Sequence, residues 1–511
     1  MLLDFQVEDK QTVQVQTRMA SEVPEIENPN TYTSIPAVET ARQQLHEFRN
    51  IFLGPDSECP SLVVERVVAS WLVFADTMAR QGAAPIPVMV PRHFAEACRR
   101  NVWRAMDIAS AAAFDHDVEI AIAANGDMEH DTKIMRKFLK TAATGNIIKG
   151  FGAGAGAVGI GIHPSVQLFM ALTMAWVTQD KTIDLGQLTR SMDGYSVGLA
   201  PAEGERIPRY RDNSHRDARL GKSPRGRLPC RVRTPRGVLS LGHVQFMFNL
   251  GAPQDGSTDA ATMYVPGSHM LSNDEVRKAL VDGGILEGRS LERAESEDWV
   301  VVRRAGAKIL AKTIASKEVE DSLPWAEPDK AMVYPVTEPA IRGGDSDLRY
   351  VGFEQGSGVA FFSDTIHRGV ALTDTATTGC GASSKKSEAF ERVTKYMCVN
   401  TPRMLENMRR MRVDGKRVPP PVGYWMKGKL EHDKPAITTP HWGTKKNSHP
   451  TFLQTFRRGP EIKQMNERLE LVQECFSAAS QVDAWLDCVG AKTDEERRKL
   501  WKMIDALHGV Y

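Results

Sequence analysis

At 511 residues, 41% of them hydrophobic and 25% charged, the chain is long enough for about three domains and has the composition of an ordinary globular protein. Lys+Arg 65 against Asp+Glu 64 leaves a net charge of +1, so no global field selects a nucleic acid or an anionic membrane. Seven cysteines, none in a C-x-x-C pair, argue against a disulfide framework, a zinc ribbon or a thioredoxin-type dithiol. Together with a start, Met1-Leu2-Leu3-Asp4, that lacks the pattern of a secretory signal, they make the cytoplasm the expected compartment.

Residues 1–50 are rich in Gln, Glu, Thr and Pro and read as a polar, loosely packed arm. From 51 to 200 the reading is mainly helical. Val63, Val64, Val67, Val68, Trp71, Leu72, Ala75 and Met78 fall at spacings of three and four, which predicts a helix over 62–81 with one apolar face. Phe94, Val102, Trp103 and Met106 behind Pro91 predict a second over 91–113. Residues 151–179 carry no Asp, Glu, Lys or Arg, a length sufficient to span a bilayer. However, His163, Pro164 and Gln167 interrupt the apolar part, and 150–161 alternates glycine with small residues. A glycine-rich loop leading into a buried helix over 165–177 is expected instead of a membrane span. Gly154, Gly156 and Gly159 have the spacing of a dinucleotide fingerprint. With no clear apolar strand before Gly150 and with Pro164 postponing the helix, that spacing reads as a coincidence within the loop.

After about residue 200, short β-rich runs alternate with Gly, Pro, Asp and Ser turns, over 238–250, 359–363, 366–372 and 392–399, the pattern of a sandwich or barrel. The β core is expected over 201–402 with an insertion over about 271–349, and 403–511 as a basic linker closed by two helices. The first of these begins near Pro460, and Thr493 with Glu496 forms a capping box that opens the last. Within 244–250, Val244, Phe246, Phe248 and Leu250 share one side of the pleat, while Gln245, Met247 and Asn249, with His243 before them, share the other. The second side is more polar than a dry core accepts and suits a lumen that holds ligands.

Of the 13 histidines, one has an acid two residues later, in His215-Arg216-Asp217. Downstream come, in order, the strand-like 246–250, the turn 251–256, Val265-Pro266-Gly267-Ser268-His269, the run 358–363, Thr365-Ile366-His367-Arg368-Gly369 and Arg392-Val393-Thr394. This order, over about 200–400, resembles the phytanoyl-CoA dioxygenase family of Fe(II)- and 2-oxoglutarate-dependent oxygenases. The resemblance implies a double-stranded β-helix (jelly-roll, cupin-like) core. The expected fold class is therefore α+β, that core flanked by an N-terminal helical region and a C-terminal helical extension.

The resemblance also implies that His215, Asp217 and His367 hold Fe(II). Two imidazoles and one carboxylate on one side of the metal leave positions for a bidentate 2-oxo acid and dioxygen. In an H-x-D triplet on an extended strand, both side chains point the same way. Arg392 would pair with the distal carboxylate of 2-oxoglutarate, and Thr394, two residues on, would donate to it; Arg368 is the alternative cation. Gln245 and Asn249 are secondary candidates for hydrogen bonds to cosubstrate or substrate. The implied reaction is hydroxylation or desaturation with release of succinate and CO2. Retention of Asp217 separates the chain from related halogenases, where a small residue stands in its place.

Residues 206–236 hold eleven Lys or Arg against two Asp, which around the proposed metal triplet points to a small anionic substrate. Nucleic acid is the less favoured partner, since Tyr210 is the one aromatic interleaved with these charges. His269 reads as part of a turn, and His243 lacks a partner acid. The acidic, histidine-rich stretch 115–131 reads as solvated helix ends and loops. Two further functions stay open: a noncatalytic cupin-like binding or scaffold protein, and a nucleic-acid-modifying oxygenase.

Overall fold

The computed structural model describes residues 29–55, 58–114, 120, 134, 137–138, 147–151, 159–199, 231–234, 237–240, 244–251, 262–264, 355–362, 365, 367–369, 391–401, 412–413, 416–417 and 478–508. The helices are α1 (Pro36–Glu47), α2 (Arg49–Phe52), α3 (Pro60–Gln81), α4 (Arg92–Ala113), α5 (Pro164–Thr178), α6 (Ala478–Cys488) and α7 (Asp494–His508). The strands are β1 (Ala83–Ile86), β2 (Ile147–Phe151), β3 (Thr189–Leu199), β4 (Arg231–Thr234), β5 (Gly237–Ser240), β6 (Val244–Asn249), β7 (Thr262–Tyr264), β8 (Gly358–Phe362), β9 (His367–Gly369), β10 (Glu391–Asn400), β11 (Arg412–Val413) and β12 (Lys416–Arg417).

Helix α5 lies at the centre of the helical layer. Every residue from Pro164 to Val177 is buried, as expected of a helix that is apolar all round. Proline at its first position costs no hydrogen bond, because that amide has no partner within a helix. The cap is a histidine. The Nδ1 of His163 accepts from the Ser165 backbone N–H at 3.2 Å, and its Nε2 faces the Phe52 carbonyl at 2.9 Å, an arrangement that puts the proton on Nε2. Helices α1 and α3 pack on α5. The Trp71 indole donates to Thr173 Oγ1 at 3.2 Å, and the Phe74 and Phe169 rings meet edge-on at 4.7 Å. The expected helices over 62–81 and 91–113 are thus α3 and α4, and the expected buried helix is α5. Among the described residues no helix is long and apolar enough to cross a membrane.

Three expectations need correction. The polar arm is not loose throughout: α1 lies within it and buries Ala37, Ala41 and Leu45 at a spacing of four, enough for one narrow apolar stripe on a polar helix. A strand does precede the glycine-rich loop, since Ile147–Phe151 forms β2. Among the described residues it is the edge of an antiparallel sheet, and a 3-10 turn over Ile160–Ile162 and the His163 cap intervene before α5. The phosphate-binding arrangement of a strand running straight into a helix is therefore not formed. Finally, residue 200 does not divide the β layer from the helical one, because β1, β2 and β3 belong to the main sheet.

Among the described residues that sheet has six strands in the order β1-β8-β6-β10-β3-β2, every neighbouring pair antiparallel. The expected run 238–250 is two strands. Its first part pairs with β4 as a hairpin, and its second, β6, joins the main sheet. Among the described residues, short strands β7 and β9 pair only with each other. On one side of the sheet, Val244, Phe246, Phe248, Tyr195, Val197, Val393, Met397, Ala360 and Phe362 belong to the same apolar cluster as the helices. Lys395 falls on that side too, fully buried, with its Nζ 4.6 Å from the centre of the Tyr195 ring, a placement that offsets part of its desolvation. Gly159 adopts φ +140, and a Cβ there would lie 2.6 Å from the Tyr195 hydroxyl, so this end of the loop requires glycine.

The C-terminal helices close the layer. Trp485 of α6 is fully buried and meets Phe94 of α4 edge-on at 6.1 Å. The capping box forms as expected: the Thr493 hydroxyl accepts from the Glu496 N–H at 3.1 Å, and the Glu496 carboxylate accepts from the Thr493 N–H at 3.0 Å. The earlier part of the helix expected from Pro460 lies outside the described residues.

Candidate functional site

The opposite side of the sheet carries the candidate site. Residues directly opposite each other in antiparallel strands present their side chains on the same side, so the register defines rows. Asn249 of β6 pairs with Thr394 of β10, and Thr394 pairs in turn with Ser196 of β3. The same row reaches position 149 of β2, a lysine. The next row joins Met247 to Tyr396 and to Val359 of β8, and a third joins Gln245 to Cys398 and Phe361. A small apolar cluster of Ala83, Val359 and Phe361, with Met247 against it, occupies the β1–β8 end. Polar residues dominate the other end.

Gln245, Asn249, Thr394 and Ser196 are 8%, 9%, 8% and 2% exposed, so each must find partners for its polar atoms or lose stability. Asn249 is largely committed to the chain itself. Its Oδ1 accepts from the Gly251 N–H at 3.1 Å, closing a turn just past the end of β6 as asparagine commonly does. Gln245 Oε1 accepts the weak thiol donor of Cys398 at 3.7 Å. The Ser196 hydroxyl has no hydrogen-bond partner among the described residues.

Arg392 lies two positions before Thr394 on β10 and pairs with Gly198 of β3, so its register position is on the row beyond Thr394. His367 opens β9 opposite Tyr264, and Arg368 pairs with Met263. His215 and Asp217 lie outside the described residues, as do His243, His269 and the acidic residues of the 115–131 stretch. Among the described residues no group of three or more His, Cys, Asp or Glu could hold a metal ion.

Two buried titratable groups belong to the core instead. Burial pushes the His163 imidazole down to about 3, against the pull of the Phe52 carbonyl and with a small further push from His93. Burial likewise pushes the Cys98 thiol up to about 12, opposed by the Trp485 indole and by Lys395. A neutral imidazole and an un-ionised thiol are structural groups at neutral pH.

Ser196 was not among the residues expected from the sequence. Its strand, TRSMDGYSVGL, interleaves Gly, Ser and Asp with the apolar Tyr195, Val197 and Leu199, so one side reads as loop-like. The signal that was present is the period of two in those three residues. Searches of protein-family models and of curated proteins find no match to the sequence.

Proposed function

We propose that the protein is an Fe(II)- and 2-oxoglutarate-dependent dioxygenase that hydroxylates or desaturates a small anionic molecule. The observation that carries this reading is the connectivity of the strands. Strands β3 and β10 lie side by side, with β6 beyond β10 and β8 beyond β6. The chain leaves this sheet after β6 to make β7 and again after β8 to make β9, and those two excursions pair with each other. Winding between two sheets in this way is what a jelly roll does, and it supports the double-stranded β-helix implied by the motif order.

The composition of the polar row supports the same reading. Two hydroxyls, Thr394 and Ser196, sit opposite each other in a nearly dry setting, and one lacks a partner. Such a pair fits an oxyanion, whose hydrogen bonds to hydroxyl donors gain strength where water is scarce. Arg392 would supply the countercharge to the distal carboxylate of 2-oxoglutarate, and Thr394 would fix its direction.

His215, Asp217 and His367 would hold the ferrous ion, which supplies the centre at which the 2-oxo acid is oxidised to succinate and CO2 and the substrate is oxidised by dioxygen. Asp217 would balance part of the metal's charge and leave the imidazoles neutral as ligands. The basic stretch 206–236 would attract an anionic substrate towards the triplet it surrounds.

Adding Fe(II) and 2-oxoglutarate without oxygen tests the reading directly. A weak visible charge-transfer band is expected, and admission of air should release succinate even without substrate. Asp217→Ala should abolish both. A wild-type protein that gives no band and releases no succinate overturns the proposal.

A further inference from the structure

We infer that Ser196 is a ligand-contacting residue, which binds the distal carboxylate of the 2-oxo acid together with Thr394. The inference rests on the oxygenase reading above and adds to it a residue from a different strand. A buried hydroxyl is rarely left without a partner, because removing it from water forfeits its hydrogen bonds. Ser196 is 2% exposed and its Oγ has no partner among the described residues. Its direct neighbour in the register is Thr394, and its row runs on to Asn249, whose carbonyl is committed to the Gly251 amide. The unmet hydroxyl therefore sits beside the one already assigned to the cosubstrate. Register adds two cationic positions to this end of the sheet: Lys149 in the row of Ser196, and Arg392 two residues before Thr394 on β10.

An alternative is that Ser196 is only a small residue filling space between strands. The two readings differ in what an alanine does. If the hydroxyl serves a ligand, its loss removes a hydrogen bond from the bound carboxylate but relieves an unsatisfied donor in the free protein. Ser196→Ala should then leave the melting temperature of the free protein unchanged or raise it.

The decisive measurement uses the visible band of the anaerobic Fe(II) protein to titrate two acids. These are 2-oxoglutarate and 2-oxobutyrate, which keeps the 2-oxo acid end but lacks the distal carboxylate. Ser196→Ala should weaken 2-oxoglutarate by about tenfold to a hundredfold, the value of one hydrogen bond to a charged group, and leave 2-oxobutyrate unchanged. Ser196→Thr should restore the 2-oxoglutarate affinity. Ser196→Cys, of similar size and a weak donor, should behave as the alanine does and serves if the alanine variant fails to fold. Unchanged 2-oxoglutarate affinity in these variants overturns the inference while leaving the oxygenase reading intact. Equal weakening of both acids also overturns it, since that is the mark of a general structural defect. If the wild-type protein gives no band with either acid, the oxygenase reading falls and the inference falls with it.

Discussion

His163 should make the protein acid-sensitive in a way that one substitution can isolate. The imidazole is fully buried, caps α5 through Nδ1 and bonds to Phe52 through Nε2, with the Phe52 and Phe94 rings edge-on at 5.1 and 4.9 Å. Its folded-state value of about 3 lies below the 6.5 of a free imidazole. Between those values the unfolded chain binds a proton that the folded chain does not, so stability rises with pH across the window. The contribution of the neutral ring is complete above 6.5 and declines as the pH falls towards 3, by about 1.4 kcal/mol per pH unit. His163→Asn keeps a side-chain acceptor at the cap, which asparagine serves well, but strands the Phe52 carbonyl. At pH 7.5 the variant should therefore be less stable by about 1–3 kcal/mol. By pH 4.5 the wild type should have lost about 3 kcal/mol that the variant does not lose, so the two should converge or cross. Urea unfolding of both proteins at pH 7.5, 6.5, 5.5 and 4.5 measures the difference, from which shared carboxylate effects cancel. A gap that stays constant over this range would show that the ring titrates alike in both states, and the buried cap would be refuted.

Other outcomes follow from local geometry. Gly358→Ala places a methyl group against the Met247 carbonyl across the β6–β8 pair. Backbone cannot yield there cheaply, so the variant should melt at a markedly lower temperature or fail to accumulate as folded protein; a wild-type melting curve would contradict the tight approach. Thr493→Ala removes the acceptor for the Glu496 amide and should cost about 1 kcal/mol, visible as faster amide exchange in the first turn of α7, with unchanged exchange counting against the cap. Arg392→Met should raise the 2-oxoglutarate concentration needed for the anaerobic band without altering Fe(II) binding; an unchanged titration would shift that role to Arg368 or Lys149.

How far the sequence disclosed this molecule depended on whether an element's identity is local. Helices α3 and α4 were legible because their apolar residues recur at three and four over many turns. Helix α1 was not, since Ala37, Ala41 and Leu45 are its only buried residues and are outnumbered by Gln, Glu and Arg. Strand β3 is set by its partner. Its period of two is confined to Tyr195, Val197 and Leu199, and nothing local marks Ser196 as buried. The polar side of β6 was read correctly from its alternation, Gln245 and Asn249 lying on the side opposite Phe246 and Phe248. What alternation cannot report is how a polar group is satisfied. Asn249 and Ser196 lie in one row at similar depth, yet the Asn249 carbonyl is held by the Gly251 amide while the Ser196 hydroxyl has no partner among the described residues. Polar type and strand parity do not tell the two apart. Only the hydrogen bonds separate the residue that closes a turn from the one whose hydroxyl is unmet, and that difference is the ground on which the proposal above turns from Asn249 to Ser196.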